Sequence, residues 1–452
     1  MRKAINPQLH LGEVDISAIQ FDPRSRDDIP RILRGLQHLY INPDLRQAVF
    51  LALETMIPES VDKKNGRPGM DLWRILVFGT LRLVINCDFD RLRELANEHG
   101  KLRQILGHGP YDEYQYRLQT LQDNISLFTP EVLDEISQIA VSAGHELVKK
   151  KDERLQGRCD SFVVKTNVRY PTDIGLLEEA CRKAIHTATV LATENRVTAW
   201  RQSGELQKQH KKRYNKLRRL KHSTSSSKVQ KQACQDKVDD AYIDYLNRSQ
   251  KIAKKAELTL SPLENNGVDK DRLVALKRWI SCIHYQVGLT CRRVFDDEKI
   301  PHSEKIFSFH EPHTEWISKG KAGVPVELGL RVCVLQDQFG FTLNHQVMQK
   351  ETDDKVTVSM AEGAKKRFPD LTQVSYDKGF WSPSNLVDLE AFLDLAVLPK
   401  KGKLSDEDKK REYHPEFVRA KRKHSAVESD INALEVHGLD KCPDEGLIGF
   451  KR

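Results

Sequence analysis

An acidic residue inside an apolar strand constrains the fold more than any other feature of this 452-residue chain. The segment Cys159–Asp173, CDSFVVKTNVRYPTD, is predicted to begin as a β-strand because Phe162–Val164 are strand formers. Asn167 and Pro171 predict its end. Asp160 lies in this strand, where a buried carboxylate is costly unless it is paired or bound to a cation. We therefore expect Asp160 to have a chemical role.

Two further acidic residues occur at comparable positions downstream. Val374–Pro383, VSYDKGFWSP, predicts a short strand that ends at Asp377, and HSAVESDINALE predicts a helix that carries Glu428. On that helix a polar stripe lies beside an apolar one, so Glu428 can face a site while the helix stays docked. The polar stripe is His424, Glu428, Asn432 and Glu435, and the apolar stripe is Val427, Ile431 and Leu434.

The order of the predicted elements brings the two aspartates together. A long helical segment follows the first strand, then an antiparallel hairpin over residues 326–347, then helix, strand, helix, strand and helix. This is the order of a mixed α/β, RNase H-like domain with a large helical insertion after the first strand. In that fold the first strand lies beside the strand that follows the first crossover helix, so Asp160 and Asp377 become neighbours.

Such a cluster of carboxylates favours divalent cations. Two close carboxylates do not both stay ionised cheaply without a cation, and ligands that are all oxygen select Mg²⁺ or Mn²⁺. Two such ions, roughly 3.5–4 Å apart, activate a nucleophile and stabilise the leaving oxygen in phosphoryl transfer. Each residue taken alone also has a purely structural interpretation. Asp160 can be a strand-edge residue, Asp377 a turn residue and Glu428 a solvated residue on a helix.

Composition excludes several classes of protein. The chain has a formal net charge of +8 with 39% hydrophobic and 31% charged residues, which suits a polyanionic partner. Its eight cysteines include no CxxC pair, which argues against a zinc ribbon or a disulfide scaffold. The longest apolar run, Leu72–Ile85, contains Arg74 and Arg82 and predicts a buried helix. With no signal peptide at the start, we expect a cytoplasmic, nucleoid-associated protein with free thiols and no membrane segment.

The first 150 residues predict an all-α N-terminal domain. Short, closely spaced helices with basic residues suit a helix-turn-helix-like DNA-binding domain, and an ordinary helical bundle with a solvated basic face is the equal alternative. The candidate DNA contacts are Arg91, Arg93, Lys101 and Arg103. We expect the catalytic domain to occupy residues 151–452.

Residues 195–300 predict a helical, basic insertion within the catalytic domain. Lys208–Lys231 contains ten Lys or Arg and no acid, which favours contact with phosphates over the alternative of a solvated face. Two long helices hinged at Ser223–Ser227 are expected to form a hairpin. The candidate DNA contacts here are Lys211, Lys212, Arg213, Arg218 and Arg219, and those in loops near strand ends are Lys319, Lys321, Lys400, Lys401 and Lys403.

Several segments together resemble a known family. They are DSFVVKTNVRYPTD, EPHTEWISKGKAGVPVELGLRV, KETDDKV, YDKGFWSP, LPKKGK, HSAVESDINALEVHGL and, near the start, GRPGMDLWRILVFGTLRL and RLRELANEHGKLRQILGH. Jointly they are similar to the DDE insertion-sequence transposases, in particular the ISNCY group, over most of the chain from about Gly66.

The resemblance implies an activity and its residues. It implies an RNase H-like core, two Mg²⁺ or Mn²⁺ ions, recognition of terminal inverted repeats in double-stranded DNA, and cleavage followed by strand transfer. Matched motif to motif, the catalytic and metal-binding triad is Asp160, Asp377 and Glu428. Synapsis of two DNA ends implies at least a homodimer.

The chain departs from that family at three places. His424 and Glu435 stand where relatives often carry an Arg and a Lys, and Lys165 stands where they more often carry an acid. Relatives usually continue beyond the position of Arg452 into another apolar helix, so a shorter copy is expected to be less stable or inactive. Two alternatives stay open: an RNase H-like nuclease for structured DNA, and a non-catalytic relative that only binds DNA.

Overall fold

The computed structural model describes residues 3–5, 12–57, 69–222, 228–318 and 325–452. The chain divides into two compact units. Unit 1 combines Met1–Asn167 with Glu315–Arg452, and unit 2 is the intervening Val168–Thr314. Unit 1 therefore contains the N-terminal helices together with every strand of the described chain.

Seven α-helices precede the first strand in the described residues of unit 1. They are α1 (Asp28–Ile41), α2 (Pro43–Glu54), α3 (Leu72–Val84), α4 (Phe89–Glu98), α5 (Gly100–Ile105), α6 (Leu118–Ile125) and α7 (Pro130–Val148). Their apolar stripes meet in one core around Trp73 and Phe78, which are almost fully buried. The side chain of Asp88 caps α4 by accepting from the Arg91 N–H, because an N-cap carboxylate satisfies a helix-end donor. Asp90 lies inside the first turn of α4, and Gly100 begins α5.

The described residues of unit 1 also form a six-stranded mixed sheet. The strands are β1 (Leu155–Lys165), β2 (Glu315–Ser318), β3 (Val326–Gln336), β4 (Thr342–Met348), β5 (Leu371–Tyr376) and β6 (Leu395–Val397). They lie in the order β2-β3-β1-β5-β6, and β4 also pairs with β3. β3 is antiparallel to β1, β2 and β4, whereas β1, β5 and β6 run parallel. The prediction of a mixed α/β fold is confirmed.

Helices cover both faces of the sheet. Those after β4 are α12 (Asp353–Arg367), α13 (Pro383–Glu390), α14 (Asp406–Glu412), α15 (Pro415–His424), α16 (Ala426–Leu434) and α17 (Gly446–Lys451). α12 and α13 pack on the face that carries Cys159 and Tyr376. Phe162 and Val164 belong to the opposite face, where they share a core with Ile431 of α16. Successive strand residues alternate between faces, so Asp160 lies on the α16 face.

Two helices, instead of one continuous helix, cover residues 415–434. α15 ends at His424, and the Ser425 hydroxyl donates to the Arg422 carbonyl at 3.0 Å. A serine that bonds to a nearby backbone carbonyl competes with helix continuation. Beyond α16 a π-helical turn, Glu435–Leu439, follows, with Gly438 at φ 106°.

In the described residues of unit 2, all regular secondary structure is helical. It contains α8 (Asp173–Glu194), α9 (Ser203–Lys221), α10 (Lys228–Asn265) and α11 (Lys270–Val294), which share a core around Trp200 and Tyr245. The predicted hinge at Ser223–Ser227 lies outside the described residues. All eight cysteines are free thiols. None of the helices in the described chain combines the length and apolar character needed to cross a membrane.

Candidate active site

Strand register places two of the predicted catalytic residues side by side. Cys159 pairs with Tyr376 in the parallel β1–β5 ladder, so the next residues along the two strands are Asp160 and Asp377. Neighbouring strands lie about 4.8 Å apart, and residues at the same register position project to the same face. Asp377 follows the last residue of β5 and is exposed, whereas Asp160 is partly buried.

The electrostatics of Asp160 identify its neighbours. Burial is the largest influence and raises the pKa of Asp160 to about 6. The Ser161 N–H, which donates to Asp160 Oδ1 at 2.7 Å, opposes this rise. The negative charges of Asp377, Asp353 and Glu428 add to the rise in pKa, because like charges disfavour ionisation. The structure thus brings the three predicted carboxylates into one neighbourhood and adds a fourth.

Glu428 approaches from the helix that covers this face. It lies in the first turn of α16 and is exposed, and the buried Val427 beside it anchors the helix. In the described part of the chain, neither the Glu428 nor the Asp377 carboxylate has a hydrogen-bond or ion-pair partner. Two acidic side chains are therefore left free close to a third that is partly desolvated.

Sequence reasoning missed Asp353, which begins α12. Its Oδ1 accepts a hydrogen bond from the Ser161 hydroxyl at 2.7 Å, and its Oδ2 lies 3.7 Å from Arg331 Nη1. Gly379, two residues after Asp377, leaves space for Asp353 Oδ2, because a Cβ there would lie 3.2 Å from that oxygen. The segment KETDDKV, which contributes to the family resemblance, contains this residue, but its pattern indicates no chemical role for it.

His424 adds an uncharged ring to the site. Burial lowers the pKa of His424, as does the positive charge of Arg158, while the negative charges of Asp377 and Glu428 oppose this. Its Nδ1 lies 3.1 Å from the Ser375 hydroxyl. The imidazole is therefore neutral at pH 7 and places no cation beside the carboxylates.

The donor set suits a hard divalent cation. Asp160, Asp377 and Glu428 offer only carboxylate oxygens, which are the ligands that Mg²⁺ and Mn²⁺ prefer. Two of the three are free of other partners, and their mutual repulsion raises the pKa of Asp160, which a bound cation would reverse. Among the described residues, no three His, Cys, Asp or Glu side chains already stand in metal-binding geometry.

The predicted DNA contacts of the N-terminal helices divide into two kinds. Arg91 and Arg93 are exposed, and each lies near an acidic side chain three positions away on α4. Such surface pairs are weak, so both remain available. Lys101 is partly buried and donates to Gln104 at 3.3 Å. Arg103 donates to the backbone carbonyls of Asp112 and Tyr114 and therefore fastens a loop.

The basic residues predicted in unit 2 lie on α9. Lys211, Lys212, Arg218 and Arg219 are exposed. Arg213 is partly buried and forms an ion pair with Asp244 at 3.1 Å. Four of the five side chains therefore face solvent.

The predicted loop contacts also differ from one another. Lys400 is partly buried, forms an ion pair with Asp408 at 2.5 Å and lies 5.6 Å from the Trp381 ring centroid. Lys401 and Lys403 are exposed. Lys319 and Lys321 lie outside the described residues.

Comparisons of the chain with protein-family models, with curated proteins and with solved structures found no match. The candidate site is therefore defined by its own residues: a partly buried aspartate on β1, an exposed aspartate after β5, and a glutamate on α16.

Proposed function

We propose that this protein is a DDE-type transposase that cleaves DNA at the terminal inverted repeats of an insertion sequence and transfers the cut strand. One observation carries the proposal: the register of β1 and β5 sets Asp160 beside Asp377, and Glu428 on α16 is close enough to raise the pKa of Asp160. Three carboxylates from two parallel strands and one helix form a site that suits two-metal phosphoryl transfer.

The sheet topology supports an RNase H-like core. Three antiparallel strands, β1, β3 and β4, are followed by two strands parallel to β1. Helix α12 connects β4 to β5, and α13 connects β5 to β6. When the short β2 is left out, the strand order is β4-β3-β1-β5-β6. This is the order expected of an RNase H-like core, in which the first strand is central and one catalytic aspartate lies on it and the other on its parallel neighbour. Unit 2, Val168–Thr314, follows the first strand along the chain, which is compatible with an insertion after that strand.

Each residue has a definite task in this proposal. Asp160, Asp377 and Glu428 would hold two Mg²⁺ or Mn²⁺ ions. Those ions activate the attacking oxygen and stabilise the leaving oxygen of the scissile phosphodiester. Asp160 must be ionised to serve as a ligand, and with a pKa of about 6 it is mostly ionised above pH 7. The neutral His424 ring leaves the negative charge of the site available to the cations.

The partner is double-stranded DNA. The exposed cations of α9 and α4, and Lys401 and Lys403, supply surfaces for sequence-independent contact with phosphates. Holding two DNA ends together requires at least a homodimer, and we propose that this assembly forms on DNA.

The test is Mg²⁺-dependent cleavage of DNA that carries the terminal repeats of the encoding element. The variants are Asp160→Asn, Asp377→Asn and Glu428→Gln, and the control is Asp388→Asn, which removes an exposed carboxylate on α13. We expect the wild type and the control to cleave in Mg²⁺ and Mn²⁺ but not in EDTA. The three site variants should bind the DNA with unchanged affinity and cleave at least 100-fold more slowly.

Other outcomes would select the alternatives. Cleavage of four-way junctions without preference for the repeats would make the protein a structure-specific nuclease. Repeat-specific binding with no cleavage by the wild type would make it a non-catalytic DNA-binding relative. Loss of DNA binding in Asp160→Asn alone would contradict the placement of Asp160 at a catalytic site.

A further inference from the structure

A positively charged groove lies on α15, immediately before the helix that carries Glu428. Its volume is about 570 Å³. It is lined by Tyr413, Pro415, Val418, Arg419, Arg422 and Lys423. None of these residues belongs to the DNA contacts predicted from the sequence, so the groove is a surface without an assigned role.

The helix presents this groove outward because its other face is buried. Phe417 and Ala420 pack against Val397 of β6, and they hold α15 on the sheet. Arg419, Arg422 and Lys423 follow the spacing i, i+3 and i+4, which places three side chains on one helix face. The rigid sheet below therefore fixes three cations in one row.

The positive charge of the groove is not compensated. Within the described residues, the side chains of Arg419, Arg422 and Lys423 have no hydrogen-bond or ion-pair partner. The segment 409–423 contains seven Lys or Arg and two Glu, a net charge of +5. Of those two, Glu412 is buried and lies near Arg411 and Lys421, not near the three groove cations.

An exposed aromatic ring stands at one end of the row. Tyr413 is 68% exposed, which is unusual for a ring that would otherwise bury its apolar surface. Cations that track a phosphate backbone next to an aromatic platform are the features that bind single-stranded nucleic acid. A duplex offers no free base face to such a ring, because its bases are stacked on one another.

We propose that the α15 groove binds single-stranded DNA, with Arg419, Arg422 and Lys423 on successive phosphates and Tyr413 stacked on a base. α15 ends at His424, whose Nδ1 lies 3.1 Å from the hydroxyl of Ser375 on β5, two residues before Asp377. The groove thus leads to the candidate active site and would hold one separated strand of the DNA end. The choice of DNA as the nucleic acid rests on the proposed function. Binding of a single strand in the groove does not, because it requires neither a metal ion nor cleavage.

The test measures binding in EDTA by fluorescence anisotropy. The full-length protein is titrated against a 20-nucleotide oligo(dT) and against a 20-base-pair duplex between 50 and 300 mM NaCl. The groove variant combines Arg419→Gln, Arg422→Gln and Lys423→Gln. The control combines Lys150→Gln, Lys151→Gln and Lys366→Gln, three exposed lysines near the start of β1 and the end of α12.

The groove variant should reduce the dependence of binding to oligo(dT) on salt. Each single-strand phosphate contact contributes about 0.7 to the slope of log K against log salt, so three lost contacts lower the slope by about 2. If the two proteins bind oligo(dT) equally at 1 M salt, this difference in slope makes binding by the groove variant roughly 100-fold weaker than wild-type binding at 0.1 M salt. The control should leave slope and affinity for oligo(dT) unchanged, and the duplex should be affected less than the single strand.

Tyr413→Ala tests the stacking separately. It should weaken oligo(dT) binding about 5-fold or more without changing the salt slope, and Tyr413→Phe should restore the affinity. Replacing Arg419 and Arg422 by Lys should preserve the slope, and circular dichroism melting checks that every variant is folded.

Three results would overturn the proposal. They are an unchanged slope in the groove variant, an equal loss in the control, and a loss for the duplex as large as that for oligo(dT). A wild type that does not cleave, together with loss of oligo(dT) binding in the groove variant, would reject the proposed function and keep the groove. Cleavage by the wild type, together with unchanged oligo(dT) binding by the groove variant, would support the proposed function and reject the groove as a single-strand site.

Discussion

Replacing Asp160 by Asn should stabilise the protein at neutral pH. The pKa of this carboxyl rises from its usual 3.8 to about 6, chiefly through burial and also through the charges of Asp377, Asp353 and Glu428. One pKa unit corresponds to about 1.4 kcal/mol, so the ionised form costs unit 1 about 3 kcal/mol. Asparagine keeps an acceptor for the Ser161 N–H and carries no charge.

The sign of the pH dependence follows from proton binding. Between about pH 4 and pH 6 the folded protein holds a proton on Asp160 that the unfolded chain has released, so stability falls as pH rises through this window. Above pH 6 the cost is fully present, and below pH 4 it vanishes. The stability gain of Asp160→Asn is therefore expected to be near zero at pH 4, and about 3 kcal/mol at pH 8.

Urea denaturation followed by circular dichroism, at pH 4 to 8 in EDTA, measures this difference. Asp152→Asn is the control, because Asp152 is exposed and at φ 64°, a backbone conformation that Asn also tolerates; we expect a change within about 0.5 kcal/mol. Mg²⁺ should stabilise the wild type and not Asp160→Asn. A variant that is no more stable than the wild type at pH 8, or a gain that does not vary with pH, would refute the reasoning.

Three further predictions test other parts of the chain. Asp444→Ala should destabilise unit 1 by about 3 kcal/mol in urea, because it leaves the buried Arg82 guanidinium without its bidentate partner; a loss below 1 kcal/mol would contradict this. His424→Arg should raise the Mg²⁺ concentration needed for half-maximal cleavage at least 10-fold, because a fixed cation would replace a neutral ring beside two carboxylates; an unchanged requirement would argue against its place at the site. A fragment of residues 168–314 should fold alone into a helical protein by circular dichroism; an unfolded fragment would show that unit 2 depends on the rest of the chain. In this fragment Tyr245→Phe should lower the free energy of unfolding by about 1–2 kcal/mol, because the Ile174 carbonyl of α8 loses the hydrogen bond from the Tyr245 hydroxyl.

Local patterns predicted many of the elements that carry the site. The apolar run after Asp160 became β1, and alternation over 326–347 became the β3–β4 hairpin. Ser382-Pro383 begins α13 with a serine cap and proline in the first turn. These features depend on a few neighbouring residues, so the sequence displays them directly.

The features that the sequence did not predict depend on contacts between residues that are far apart along the chain. Asp353 is held beside β1 by a hydrogen bond from Ser161, 192 positions earlier, and its charge adds to the rise in the pKa of Asp160; no periodicity reports such a contact. β2 is only four residues long and gains its place by pairing with β3, so its propensity alone is weak. The sequence alone does not predict the α15 groove, because a row of cations on a helix is typical of an ordinary solvated face. The burial of Phe417 and Ala420 is what determines which side of α15 faces outward.

The placement of unit 2 between β1 and β2 affects how the protein is made. About 150 residues separate Lys165 from Glu315, so at 5–20 residues per second a ribosome needs roughly 8–30 s after β1 before the next strand follows. During this interval β1, the central strand, has unpaired edges that other chains can bind. Unit 2 has its own core and can fold while the strand waits. Substitutions that destabilise unit 2 should therefore first cause newly synthesised chains to aggregate.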